Sequence, residues 1–515
     1  MTAQPKPLRI KRLTLTDFRA FPGPAPTHFD LDGKNLLVYG ENGSGKSSIF
    51  HALSGFFSLE PKHPLRKHKN VFSGQPGTDC RVAVEFTVGD AAPVEWSDSK
   101  HPGDVDLSVP ASDWYQYYYR NADSRVVTTA LRRTSLDYRA LLDTNYKHGD
   151  GAVNLFDIAV EHLLHDFPVV IEGGQNATIG ELWAKVLKAK PSQHKPAAIT
   201  RINQACLEFN TAFRSAIPAL LPHINALMQV LGWRDVELKE LHTPGLTYNN
   251  ARLKQNRAIS GQELRLELTF RNHPLPVPQI FLNEARLSAL ALSIYLAGRL
   301  ACTPTATQDA LKLLVLDDVL IGLDHANRLP VLDVLHTRFA DWQVVLLTHD
   351  KTWFDLARGH LPEDDWACCE IYEGDTAATA PMPIVRPTMN RPARALIQKA
   401  DEQMKLGYVE AAANYARQAF ELGLRAACEL KKIHLIYRQD PTAHQAQDLL
   451  DALKSWQVTG SLKQADWDAA IHRLELLKNV VMNPYSHPSS PNIPRQEVAD
   501  AIAAVTAFLD LVAKK

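Results

Sequence analysis

Apolar and polar positions alternate at the start of the chain. Leu13 and Leu15 do so, and Val82, Val84 and Phe86 repeat the pattern, which predicts half-buried strands. Asn35–Tyr39 is instead a short continuous apolar run, the signature of a strand buried on both faces. After Gly151 the apolar positions recur at helical spacing, through Leu155–Leu164 and again through Leu207–Leu231. Alternation returns at Leu264, Leu266, Leu268 and Phe270. A helix is predicted from Glu284 to Ala301. Apolar runs follow at Leu311–Leu316 and Val344–Leu347, with a helix after Asp324 between them. Strand, helix and strand in this form predict a parallel core sheet.

From Gly374 to Arg394 the sequence turns rich in Pro, Thr and Ala, the composition of a linker. No strand pattern follows it. Leu396–Leu406, Val409–Lys432, Gln445–Trp456, Ala465–Met482 and Gln496–Val512 all have the spacing of amphipathic helices. The expected architecture is an α/β head with a parallel core sheet plus antiparallel strands, a short helical insertion and an all-α C-terminal domain. The expected boundaries are 1–150 for the first lobe and 151–260 for the insertion. A second lobe at 261–375, a linker at 376–391 and the helical domain at 392–515 complete the division.

Composition narrows this picture only a little. The 515 residues are 45% apolar and 22% charged, as in ordinary globular proteins. No run approaches the length of a membrane span, and Met1–Lys11 lacks the apolar core of a secretory signal. The six cysteines make no CxxC pair, which suits reduced thiols in a cytoplasmic protein. Net charge is −1, so any nucleic-acid contact must come from a local patch.

Gly40-Glu41-Asn42-Gly43-Ser44-Gly45-Lys46-Ser47 carries the clearest chemistry. Small residues let successive backbone N–H groups wrap a phosphate, and the following helix turns its positive end toward it. Lys46 adds a point charge, and the Ser47 hydroxyl is suited to Mg²⁺. The loop thus predicts ATP as ligand. Leu311–Leu316 delivers Asp317 and Asp318 at a strand tip, suited to a Mg²⁺-binding acid and a water-activating acid respectively. Val344–Leu347 delivers His349 in the same way, within reach of a terminal phosphate.

This order resembles the ABC-type ATPases, in particular the SMC/RecF-like branch, over roughly residues 8–375. Asp17-Phe18-Arg19-Ala20-Phe21 resembles a strand of that branch whose arginine reaches the nucleotide, which casts Arg19 in that role. Gly322-Leu323-Asp324 resembles the family's D-loop. The resemblance implies nucleotide contacts from Asn42, Gly43, Ser44, Gly45, Lys46, Ser47 and Ser48, with Mg²⁺ on Ser47 and Asp317. It also implies a signature loop that caps the γ-phosphate from a partner subunit. The matching site is Leu282-Asn283-Glu284-Ala285-Arg286, where the usual glycines are gone. Asn283 replaces the usual Ser as cap, Ala285 keeps a small residue, and Glu284 must point away from phosphate. A homodimer or higher oligomer through ATP-sandwiched heads is the implied assembly. The usual catalytic Glu is here Asp318, one methylene shorter, which predicts slow turnover and a switch or timer role. The lid glutamine has no clear counterpart. The Gln75 region and Ser135-Leu136-Asp137-Tyr138-Arg139 are the two candidates. The long coiled coil and zinc hook of tethering relatives are absent.

In the C-terminal helices, Arg417 and Glu421 share a face at i, i+4 spacing, and His487 ends Asn483-Pro484-Tyr485-Ser486-His487. Arginine, glutamate and histidine together could perform metal-free RNA cleavage, with His487 moving protons and Arg417 stabilising charge. The trio resembles the HEPN-like domain of the RloC and PrrC anticodon nucleases, although the usual Arg-x4-6-His motif is missing. The plain alternatives are a solvated helix ion pair and a turn histidine. Lys62–Lys69 reads as a phosphate-backbone patch or a solvated loop, and Trp114–Arg120 as a base-stacking surface or one aromatic core face.

Three functions fit these residues. One is an ATP-switched antiphage-defence protein whose C-terminal domain cleaves RNA, with tRNA as the implied substrate. The second is a sensor or scaffold ATPase that holds and releases a separate effector protein through a non-catalytic helical domain. The third, a RecF-like DNA repair ATPase, leaves the helical domain unexplained. None requires a membrane.

Overall fold

The computed structural model describes residues 7–58, 64–72, 79–88, 92–98, 123–130, 135–137, 153–171, 173–192, 195–251, 253–302, 311–362, 364–375, 378–388, 392–435, 445–458, 462–478 and 494–513. The chain forms two compact units. The first comprises Met1–Ala357 and Asp364–Arg386, the second Arg358–Glu363 and Pro387–Lys515.

The first unit is built on a six-stranded sheet. Its spatial order is Ile384–Thr388, Trp366–Tyr372, Asn35–Gly40, Gln343–Thr348, Leu313–Asp317 and Ser135–Asp137. The strands from Trp366–Tyr372 to Ser135–Asp137 pair in parallel. Burial on both faces explains why their sequences read as unbroken apolar runs; Leu36, Leu37, Val38, Leu314, Val315, Leu316, Val345 and Leu346 are all buried. Register aligns Tyr39 with Thr348, and Asp317 with both Leu347 and Asp137. The phosphate loop, the acid pair and His349 therefore leave the sheet at one edge.

A four-stranded antiparallel sheet runs Thr27–Asp30, Ile10–Thr16, Arg81–Phe86 and Val94–Ser97. One apolar cluster unites it with the parallel sheet and with Ile49, Ala52 and Leu53 of the helix Lys46–Phe56. A buried polar side chain adds a specific bond. Gln343 is fully buried, accepts from the Ile10 amide (2.6 Å), and donates to the Ile10 and Lys34 carbonyls (2.9 and 2.7 Å). Every group of this amide has a partner, which is what burial of an amide requires.

The segment expected as a purely helical insertion is mixed. Helices Ile179–Ala189, Pro196–Ala216 and Leu221–Val230 are present, but Val236–His242 is a strand paired antiparallel with Arg265–Phe270. Short hairpins lie at Pro168–Val170 with Asn176–Thr178 and at Thr247–Asn249 with Ala258–Ser260. Val236 and Leu238 alternate with Glu237 and Lys239, but the stretch is too brief to stand out beside long helical runs. The expected linker is corrected too: Ile384–Thr388 forms the edge strand of the core sheet. Pro387 is tolerated there because an edge strand leaves amides unpaired.

The second unit contains helices Pro392–Leu406, Val409–Leu430, Ala446–Ser455, Gln464–Leu477 and Arg495–Ala513. Ala412, Ala416, Ala419, Phe420, Leu424 and Ala427 make a buried stripe on the second of these. Trp467 is fully buried and donates its indole N–H to the Leu453 carbonyl (3.0 Å). No helix among the described residues is long and apolar enough to cross a membrane. The six cysteines are buried and none forms a disulfide.

Leu346 lies in the centre of the parallel sheet with no exposed surface. Leu346→Ala should lower unfolding stability by about 3 kcal/mol, read from denaturant melts.

Candidate nucleotide site

The loop after Gly40 turns through Gly43 at φ 89° and Gly45 at φ 97° before the helix Lys46–Phe56 begins. A Cβ on Gly45 would stand 2.8 Å from the Ala20 Cβ, so both backbone and space demand glycine. No side chain caps the helix start and no acid sits in its first turn. Its leading amides are thus presented to an anion, as a phosphate site needs.

Beside this loop lies a cleft of about 450 Å³. Arg19, Asn42, Gly43, Gly45, Lys46, Ser47, Ser48 and Asp318 line it, together with Lys67, His68 and Lys69. Lys46 is buried and faces both acids, in an ion pair with Asp318 and 3.8 Å from Asp317 Oδ1. Asp318 adopts φ 55°, and this left-handed turn brings its carboxylate back toward the strand ends. Its Oδ1 accepts from the His349 backbone amide and meets His349 Nδ1, both at 3.0 Å. Lysine, aspartate and histidine from three separate segments are thus joined in one network.

Arg19 does not lie on a strand as expected. The strand Ile10–Thr16 ends, and a tight turn follows with Asp17 at φ 53° and Arg19 at φ 49°. Phe18 and Phe21 bridge this turn and are fully buried, which turns Arg19 toward the cleft. Its amide donates to the His68 carbonyl (2.7 Å), and its guanidinium donates to His68 Nδ1 (3.0 Å). Asn70 holds the Arg19 carbonyl (2.5 Å). Burial lowers the Arg19 pKa, and the charge of Asp317 opposes that shift. Burial, aided by Arg19 and Lys67, depresses the His68 pKa to about 4, so the ring is a neutral acceptor. The ring also lies 4.8 Å from His51 on the phosphate-loop helix.

His68 and its lysine neighbours are what sequence reading missed. Their basic run was legible, but nothing in its composition placed it against the phosphate loop. Among the loop residues, Ser44 is fully buried, with its hydroxyl unbonded and its amide donating to the Glu41 carbonyl (3.1 Å). It is not among the cleft-lining residues. Ser48 lines the cleft, but its hydroxyl sits 3.5 Å from the Ala20 amide.

The donor set fits a magnesium nucleotide. Among the described residues no cluster of three or more His, Cys, Asp or Glu is placed to hold a metal. Ser47 lines the cleft; Asp317 is not among its lining residues, its Oδ1 lying 3.8 Å from Lys46 Nζ, and the two would share Mg²⁺ with phosphate oxygens, the usual arrangement for this ion.

Asn283, Glu284 and Ala285 are not among the residues lining this cleft. They open the helix Glu284–Ala301, where Asn283 Oδ1 accepts from the Arg286 amide (3.1 Å). Asn283 and Glu284 are exposed, and Ala285 is buried. Arg286 stacks over Trp233 and pairs with Asp235 (3.0 Å).

The RecF/RecN/SMC N terminal domain profile matches residues 9–361. The chain belongs to this family. RecF/RecN/SMC members are ATPases that bind ATP with Mg²⁺. Solved structures similar to this chain include the Smc head domain with an extended coiled coil bound to the C-terminal domain of ScpA, from Pyrococcus furiosus. It shows 12% identity and a TM-score of 0.38 over 76% of this chain and all of that one. RecF bound to ATP shows 11% identity and a TM-score of 0.44, over 74% of this chain and 99% of that one. No curated protein matches the sequence.

The remaining candidates lie elsewhere. Arg417 Nε donates to Glu421 Oε1 (3.1 Å) along one helix of the second unit. His487 and the whole Asn483–His487 stretch fall outside the described residues, as do Gln75, Tyr138–Arg139 and Trp114–Arg120. Ser135–Asp137 is a sheet-edge strand.

Two tests follow. Lys46→Met removes a charge-assisted contact worth about 1.5–3 kcal/mol, so ATP affinity should fall roughly ten- to hundredfold by calorimetry. The folded-state pKa of His68 lies below its ordinary 6.5, so unfolding takes up a proton between those values. The His68 contribution should make stability fall as pH drops from 6.5 toward about 4, and His68→Gln should flatten that part of the profile.

Proposed function

We propose that this RecF/RecN/SMC-family ATPase is a slow ATP switch that works as a head dimer and controls the C-terminal domain. The observation that carries the reading is the division of the nucleotide machinery. Lys46, Asp318 and Arg19 line one cleft, with His349 bonded to Asp318, while Asn283 and Glu284 at the capped helix start are exposed and, like the buried Ala285, line no part of it. A second copy would bring that helix start to the phosphates, completing the site only when two heads meet. Asp318 serves as the water-activating base, held by Lys46 and His349. Its short side chain favours slow turnover, which suits a timer better than a motor.

The controlled activity is RNA cleavage, with tRNA as the substrate class and antiphage defence as the setting. Arg417 and Glu421 on one face of Val409–Leu430 support it, with His487 as the proton-transfer partner. A second reading has its own observation: Arg417 is engaged by Glu421 one helical turn away, as in any surface ion pair. There the helical domain binds a separate effector instead of cutting RNA.

Asp318→Asn should cut hydrolysis at least about a hundredfold, the usual contribution of a general base, while ATP stays bound and dimers accumulate on a sizing column. Unchanged hydrolysis would remove Asp318 from this role. Expression of the chain should degrade tRNA, and His487→Ala should prevent it. Intact tRNA, with toxicity only beside a partner gene, would support the effector-holding reading.

A further inference from the structure

Asp318 and His349 are held to each other, but both sit on loops, and something must hold those loops together. Arg328, on the helix His325–Arg338, spans them. Its Nη1 donates to Asp350 Oδ2 (2.6 Å), its Nε to the Leu323 carbonyl (2.9 Å), and its Nη2 to the Ile321 carbonyl (3.4 Å). Only 13% of its side chain is exposed. Asp350 is fixed in turn: its other oxygen accepts from the Trp353 amide (2.9 Å), and its amide donates to Thr348 Oγ1 (3.1 Å). The chain from Asp318 to Leu323 and the chain from Thr348 to Asp350 therefore close into a ring. Asp318–His349 joins them on one side and Arg328 on the other. Gly322, inside this ring, packs so closely on Ser288 of the signature helix that a Cβ would not fit.

We propose that Arg328 is a positioning residue for ATP hydrolysis. It clamps the loop after the acid pair to the loop after the histidine strand, and so fixes Asp318 and His349 relative to the signature helix. The three acceptors point in different directions, and only the planar fork of a guanidinium serves them together. A lysine would keep the charge beside Asp350 and lose the carbonyls. The clamp matters more with a short base, because Asp318 has little reach to make up for a loop that drifts.

This inference rests on the ATPase reading above, so its test has an arm that needs no turnover. In nucleotide-free full-length protein, hydrogen–deuterium exchange should rise in Arg328→Ala at both 319–324 and 348–352, and little elsewhere. With ATP, turnover should fall about ten- to hundredfold, as a misplacement near 1 Å implies, while ATP affinity stays at its original value. Arg328→Lys should recover only part of the rate. Exchange that does not rise at both loops would overturn the clamp. Turnover that is unchanged, or that falls only in step with ATP affinity and melting temperature, would overturn the positioning role. Wild-type protein whose hydrolysis does not depend on Asp318 would overturn the ATPase reading instead, leaving the exchange result to judge the clamp.

Discussion

The constraint on which the site depends is the parallel register of the three central strands. Tyr39 aligns with Thr348, and Leu347 with Asp317. That alignment alone sends the phosphate loop, the acid pair and the histidine out of the same edge. A slip of one residue would reverse every side chain on the slipped strand and separate the three groups. Both faces of these strands are apolar, so the pattern on one face does not fix the register. The core has to fix it, and Gln343 helps by locking the strand start to Ile10 and Lys34 through three bonds.

Charge sets the next layer. Lys46 is buried between two carboxylates, and a buried charge persists only when it is paired. The pairing does more than neutralise. It draws Asp318 onto the same cation that would meet a phosphate, so a phosphate bound there would redistribute these contacts. His349 holds the other oxygen of Asp318 and keeps the carboxylate from following Lys46. Arg19 reaches the same cleft from the turn that follows a strand of the antiparallel sheet, propped by a neutral His68. A protonated His68 would set two cations 3.0 Å apart, and burial prevents that.

Much of this was legible in the sequence, and the losses have identifiable causes. Gly40–Ser47, Asp317-Asp318 and His349 stood out because each follows a continuous apolar run, and such runs mark buried strands. Asn283 was legible as a cap because a helix start has few chemical solutions. His68 was not, because its role comes from contacts with Arg19 and His51, far away in sequence. Arg328 looked like any charge on a helix, since only tertiary structure shows that its acceptors are two carbonyls and Asp350. The edge strand Ile384–Thr388 was hidden by the prolines around it, whose composition matches that of a linker. Val236–His242 was hidden by the helices before it.

The shorter acid at position 318 also looks different once the backbone is known. Read from sequence, Asp318 in place of glutamate is a loss of reach. In the structure the residue sits at φ 55°, a conformation that aspartate adopts far more readily than most residues because its short side chain bonds locally. Here Asp318 Oδ1 accepts from the His349 amide at the end of the neighbouring strand, so the bond that holds it is tertiary. A glutamate would gain a methylene of reach and one more rotatable bond to fix. Placing the short Asp318 carboxylate therefore falls to groups on other segments, Lys46 on one oxygen and His349 on the other.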